Sequence, residues 1–238
     1  LAAEVLHGEA REAVDIAVLV GAPQRNASRE GKDLFNAAYF LADGKVTQII
    51  QKTCLPTYDV FDEDRYFEPA SHWEIIEYKG QRIAVTICED IWNLGGNPLY
   101  TVCPMDQLII QQPGLMINLS ASPFDYTHDE DRKAAVKANV LKYKIPMFYC
   151  NAVGSQTEIV FDGTSLVFDR DANLVGKLAS FREDMQAFEL TDDGRIIAHI
   201  LETSVRIPDH ELNPLFFDEN LNIASVYDAL ILGIRDYF

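Results

Sequence analysis

The sequence predicts an α/β protein with a mixed β-sheet covered by helices, and three observations carry that reading. The first is Ile83-Ala-Val-Thr-Ile87, a nearly unbroken apolar run that meets Cys88, Glu89, Asp90 and Trp92 at its end. A run this hydrophobic is a strand buried on both faces. The second is a pair of hairpin signals, Asp43-Gly44 and Lys79-Gly80, each between apolar-rich segments, which make antiparallel neighbours. The third is residues 129–144, with acids in the first turn and lysines in the last. That charge order suits a helix macrodipole, and a new strand follows it. Hairpins give antiparallel pairs and helical crossovers give parallel ones, so the sheet is mixed.

Taken in order, residues 1–11 read as the back half of a helix, and residues 16–21 as a short buried strand. Residues 23–31 are rich in turn formers and predict a loop. Residues 36–41 and 45–52 are the strands around Asp43-Gly44. Residues 53–69 form a long irregular segment dense in aromatics and acids, and residues 73–78 and 81–88 are the second hairpin. Pro98 is expected to open a helix through Gln111, which Pro113-Gly114 ends. Residues 115–120 are a strand closing in small hydroxyl residues. Pro146 stops the 129–144 helix; residues 147–153 are a strand, 154–163 a loop and 164–168 a strand. Residues 174–178 and 186–190 read as the last strands of the sheet. Residues 203–222 are Pro- and Asp-bearing and weakly patterned, a linker, and residues 224–237 are an amphipathic helix. One domain is therefore expected over residues 1–200, and residues 201–238 are expected to lead toward a further part.

The 238 residues suffice for an ample core. Lys and Arg number 20 against 37 Asp and Glu, a formal net charge of −17 at pH 7. Such a surface repels phosphate and anionic lipid, so neither nucleic acid nor membrane is an expected partner. No apolar run reaches the roughly 18–20 residues of a membrane span. Cys54, Cys88, Cys103 and Cys150 form no C-x-x-C pair and have no histidine cluster nearby. This argues against zinc and a disulfide framework and favours a reducing cytoplasm. The chain lacks an initiator methionine and starts inside a helical pattern, so an N-terminally truncated segment of a longer protein is expected.

Chemistry gathers at two strand ends. A thiol delivered by a rigid buried strand to a polar rim is how a nucleophile is presented, although a free cysteine is equally at home in a core. Lys52 closes another strand. Such a lysine is ordinarily solvated, but beside a thiol it lowers the thiol pKa and holds an oxyanion. Trp73 and Trp92 read as core or interface aromatics.

Four blocks then stand in order: Lys52-x-x-Leu55-Pro56-x-Tyr58-x-Val60-Phe61-Asp62-Glu63-x-Arg65-Tyr66-Phe67; Ile87-Cys88-Glu89-Asp90-Ile91-Trp92; Asn118-Leu119-Ser120-Ala121-Ser122-Pro123-Phe124; and Val153-Gly154-Ser155-Gln156-x-Glu158-x-Val160-Phe161-Asp162-Gly163. Together they resemble the glutaminase domain of glutamine-dependent NAD synthetases, a branch of the nitrilase, or carbon–nitrogen hydrolase, superfamily. The resemblance implies a nitrilase-like αββα sandwich and a glutamate–lysine–cysteine triad that hydrolyses the side-chain amide of glutamine. Cys88 matches the nucleophile that forms a glutamyl thioester, Lys52 the group that stabilises the tetrahedral intermediate, and Glu63 the supporting glutamate. Tyr58 and Phe61 match residues lining the glutamine site. Ser122 matches one that holds the amino-acid end of the substrate, and Glu89 stands where it contacts substrate or anchors the turn. The resemblance further implies ammonia supply to an ATP- and Mg-dependent synthetase domain of the same chain, no cofactor or metal in this segment, and a homo-oligomer.

Two departures stand out. The family's general base lies in an early Pro-Glu segment that neither Glu4 nor Glu9 matches, so the triad is incomplete in this segment. His128 stands where the family places a lysine or arginine on the substrate carboxylate, and it holds that charge less firmly near neutral pH. Two rival readings follow, a nitrilase-type amidase acting on another amide and a catalytically silent assembly domain.

Overall fold

The structure, a computed structural model, describes residues 2–28, 30–94, 99–125, 128–191, 193–199 and 223–237. It divides into two compact units, Leu1–Ser120 and Ala121–Phe238.

The first unit opens with helix α1 (Ala2–Glu12). Leu6, Ala10 and Ala13 recur at helical spacing and bury themselves against Ala37, Tyr39 and Leu41 of a three-stranded antiparallel sheet. Its strands are β1 (Val18–Arg25), β2 (Leu34–Ala42) and β3 (Lys45–Gln51), with β2 in the middle. The Asp43-Gly44 turn places both residues at positive φ, 53° and 75°, as a tight hairpin turn requires. β1 extends through Pro23, where a loop was predicted. Pro23 sits on an edge strand opposite Asn36, so its missing N–H costs the ladder nothing on the open side.

A second sheet in this unit contains β4 (Ile76–Tyr78), β5 (Gln81–Ile87) and β6 (Leu115–Ser120). β4 and β5 are antiparallel across Lys79-Gly80, and β5 and β6 are parallel, so the expected mixed pairing is present. Ile83 to Ile87 are all buried, and β5 packs against β2 and β3. The strand stops at Ile87; Cys88–Ile91 is a 3₁₀ turn. The irregular segment after β3 contains one helical turn, α2 (Glu63–Tyr66). Pro104, not Pro98, opens the next helix, α3 (Pro104–Leu108), with a 3₁₀ turn at Ile109–Gln111; Pro98 lies outside the described residues.

In the second unit, α4 (His128–Tyr143) buries Arg132, Val136, Asn139, Val140 and Tyr143 along one stripe. Strands β7 (Met147–Asn151), β10 (Leu166–Phe168) and β11 (Leu174–Lys177) are antiparallel neighbours. The predicted 154–163 loop is instead a hairpin, β8 (Val153–Gln156) and β9 (Ile159–Asp162), turning at Thr157, which takes φ 54°. β12 (Ala187–Leu190) pairs with β13 (Ile196–His199) as a separate ribbon rather than closing the main sheet. The last helix, α5 (Ile223–Tyr237), packs on β8 and β9, and its Asp236 carboxylate accepts from the Ser155 N–H at 2.9 Å. The predicted linker at 203–222 lies outside the described residues.

One buried ion pair organises the second unit. Arg132 donates in bidentate fashion to Asp162 at 2.9 and 3.0 Å, and Thr164 donates to the same carboxylate at 2.8 Å. Arg132→Met leaves the Asp162 charge buried without its guanidinium and is expected to cost about 3–5 kcal/mol. A fall in the midpoint of urea unfolding checks this.

Candidate active site

The chemistry sits where β3 and β5 end, inside the first unit. Lys52 follows β3 directly, and its backbone is fixed on both sides: its N–H donates to Asn36 and its carbonyl accepts from Ala70. The side chain is 1% exposed, so this strand-end lysine is buried rather than solvated. A buried ammonium needs a counter-charge. Glu63 at the start of α2 supplies it, with Lys52 Nζ donating to Oε1 at 2.6 Å and Asn36 donating to Oε2 at 3.2 Å. Burial works against the Lys52 charge, but Cys88, Glu63 and Asp90 beside it outweigh burial, and the pKa lies above the ordinary lysine value.

Cys88 is buried and takes φ 44°, a left-handed conformation that side chains rarely adopt and that collects at functional sites. Burial pushes the thiol pKa up and the Lys52 charge pulls it back; Glu63 and Glu89 add to the rise. The resting thiol is therefore protonated near neutrality.

Asp90 joins the two strand ends. Its Oδ1 accepts from the N–H groups of Thr53 and Cys54, just after Lys52, and its Oδ2 accepts from the Ile87 N–H, just before Cys88. Burial pushes its pKa up to about 6, with the N–H groups and Lys52 pulling down. Trp73 donates to Thr53 Oγ1 at 2.9 Å, so this predicted core aromatic braces the same segment.

Glu89 points both carboxylate oxygens at aromatic hydroxyls: Tyr58 donates to Oε2 at 2.8 Å and Tyr100 to Oε1 at 2.9 Å. Burial raises the Glu89 pKa against those donors and Lys52. Phe61 meets Tyr58 edge to face, with centroids 5.9 Å apart. The predicted residues Lys52, Tyr58, Phe61, Glu63, Cys88 and Glu89 are thus all in this unit, linked by the contacts above. Ser122 belongs to the second unit, where its backbone N–H donates to Asn151 Oδ1 at 2.9 Å. His128 begins α4, and its side chain lies outside the described residues. Tyr100, Asn36 and Asp90 are site residues that the sequence did not single out. Tyr100 stands in a segment without periodicity, and nothing in the sequence marks it. Among the described residues no three His, Cys, Asp or Glu side chains are grouped to hold a metal ion, and no helix is long and apolar enough to cross a membrane.

A buried cysteine at a strand end, with a buried lysine and its half-buried glutamate partner beside it, fits a carbon–nitrogen hydrolase type of site. Residues 5–194 match the carbon–nitrogen hydrolase family, and the chain belongs to that family. It is 35% identical over 230 residues to the glutamine-dependent NAD(+) synthetase of Synechocystis sp., a match covering 93% of this chain and 38% of that protein. The structure of glutamine-dependent NAD+ synthetase from Acinetobacter baumannii superposes with a TM-score of 0.77 and 27% identity, over 97% of this chain and 39% of that one. A carbon–nitrogen hydrolase from Helicobacter pylori shares the fold, with a TM-score of 0.63 and 20% identity, over 77% of this chain and 64% of that one. The fold is thus nitrilase-like α/β with mixed sheets. The chain spans less than two fifths of the length of the Synechocystis relative.

Two substitutions probe this geometry. Asp90→Asn sets an amide N–H₂ against one of the N–H donors now satisfied, and is expected to cost about 1–3 kcal/mol in urea unfolding. Lys52→Met removes the cation facing the thiol, so the pH midpoint of Cys88 alkylation by iodoacetamide should move upward, a shift read by peptide mapping across a pH series.

Proposed function

We propose that this chain hydrolyses the side-chain amide of glutamine through a Cys88 thioester and supplies the ammonia for amidation of nicotinic acid adenine dinucleotide to NAD. The observation that carries the reading is the buried Lys52, held at 2.6 Å by the half-buried Glu63, beside the Cys88 thiol. A fixed cation there is placed for the charge that develops when sulfur attacks a carbonyl. The similarity to glutamine-dependent NAD synthetases supports the choice of amide.

In the proposed reaction the Cys88 sulfur attacks the amide carbon, and the carbonyl oxygen becomes an oxyanion facing Lys52 Nζ. The tetrahedral intermediate collapses with cleavage of the C–N bond, and the nitrogen leaves as ammonia carrying the proton that the thiol gave up. Water then attacks the thioester carbon, releasing glutamate and restoring the thiol. Glu63 keeps Lys52 protonated and aimed. Glu89, a buried carboxylate held by Tyr58 and Tyr100, receives the substrate's α-ammonium. That cation offsets the part that Glu63 and Glu89 add to the burial-raised thiol pKa, so substrate binding itself favours the thiolate. The ammonia passes to an ATP- and Mg-dependent synthetase part of the same polypeptide, in a cytoplasmic homo-oligomer. Neither ATP nor Mg is assigned to residues of this chain.

The test is ammonia release by the full polypeptide from a panel of glutamine, asparagine and simple aliphatic amides. Glutamine is expected to be the preferred substrate, with Cys88→Ala lowering the rate at least 10³-fold, in line with the loss of a nucleophile. Preference for another amide identifies a different amidase. No release from any amide identifies a silent domain.

A further inference from the structure

Glu89 follows Cys88 directly and is 4% exposed. A carboxylate this deep stays charged only if donors replace the water it has lost. Tyr58 donates to Oε2 at 2.8 Å and Tyr100 to Oε1 at 2.9 Å. A donor on one oxygen alone leaves a carboxylate free to swing about its last bond, whereas one on each oxygen fixes its plane. An ionised carboxylate accepts at roughly four sites, so two hydroxyls do not exhaust it.

The two hydroxyls come from different parts of the chain. Tyr58 stands in the segment after β3, with Phe61 edge-on against its ring. Tyr100 stands in the segment that leads into α3, and that segment is tied back to the end of the turn carrying Cys88. Asn93, which is buried, donates from Nδ2 to the Val102 carbonyl at 2.8 Å, and Cys103 Sγ donates to the Asn93 carbonyl at 2.9 Å. Burial, with the Glu89 charge adding to it, pushes the Tyr100 phenol pKa up. Tyr100 therefore keeps its hydrogen and remains a donor on a backbone pinned beside the nucleophile.

We propose that Tyr100 is a specificity-determining positioning residue: its hydroxyl, on the oxygen that Tyr58 leaves, holds the Glu89 carboxylate ionised and oriented for an α-ammonium, and so separates amino-acid amides from amides without that cation. Its effect passes through Glu89. Burial raises the Glu89 pKa, while Tyr58, Tyr100 and Lys52 pull it down, so loss of one hydroxyl lets it rise. The charged and titratable groups around Glu89 are Lys52 and Cys54 after β3, Tyr58 beyond them, Glu63 on α2, Cys88 and Asp90 on either side of it in the turn, and Tyr100. This rests on the reading of Glu89 as the seat of the substrate's α-ammonium.

The test is steady-state ammonia release by the full polypeptide from glutamine and from glutaramate, which is glutamine without its α-ammonium. The parent is expected to favour glutamine in kcat/KM. Tyr100→Phe keeps the ring and removes the donor, so the ratio of kcat/KM for glutamine over glutaramate should fall roughly 5- to 20-fold, carried by the KM of glutamine. The low-pH limb of kcat/KM for glutamine should also move to higher pH, because Glu89 must be charged and its pKa is higher without the donor. Asn93→Ala releases the segment that carries Tyr100 and should lower the same ratio; if Tyr100→Phe does not fold, as judged by circular dichroism, Asn93→Ala decides alone. Equal losses on both substrates show a merely structural role and overturn the proposal, as does an unchanged ratio, or a parent with no preference for glutamine over glutaramate. No release from glutamine by the parent overturns the glutaminase reading and this inference with it, whereas the other contrary outcomes leave that reading standing.

Discussion

The Asp90 carboxylate is the constraint on which the site depends. It takes three backbone N–H groups from two separate chain segments, two of them just beyond Lys52 and one just before Cys88. The strands that carry those residues belong to different sheets of the first unit, and strand packing alone leaves freedom in how two strand ends meet. A buried carboxylate bridging both removes that freedom, since each N–H it releases would stand unsatisfied in the core. The lysine and the thiol are thereby held together before any substrate is present, which is the preorganisation that electrostatic catalysis needs.

Around that joint the charges are unevenly distributed. One buried cation, Lys52, faces three carboxylates, Glu63, Glu89 and Asp90, each satisfied differently: Glu63 by the lysine and Asn36, Glu89 by two tyrosine hydroxyls, Asp90 by backbone. Desolvated charges of this kind are tolerated only when every lone pair finds a donor. Burial, with Glu63 and Glu89 adding to it, holds the Cys88 thiol pKa up. A resting thiol is less open to oxidation and stray alkylation than a thiolate, since the thiolate is the reactive form. In the proposed reaction, the substrate's α-ammonium offsets that balance and favours the thiolate.

Much of this was legible in the sequence because it depends on local chemistry. The apolar run into Cys88, the two Gly-bearing hairpin turns and the charge-ordered helix each state their own structure. What was illegible depends on distant partners. Pro23 reads as a loop residue and becomes part of a strand only because it lies on an edge. Gly154-Ser155-Gln156 is too polar to read as a strand, yet it pairs with Ile159, Val160 and Phe161 and is covered by α5. The burial of Lys52 cannot be seen without Glu63, eleven residues on in an irregular segment. Tyr100 matters through a single hydrogen bond to Glu89 that no periodicity announces.

The most direct test of the central claim is covalent capture with an electrophilic glutamine analogue, followed by intact-mass and peptide-mapping spectra of the full polypeptide. The account predicts one adduct per chain, on Cys88, suppressed by excess glutamine, with Cys54, Cys103 and Cys150 unmodified. An adduct on another cysteine, or labelling of Cys88 that glutamine does not protect, would contradict it.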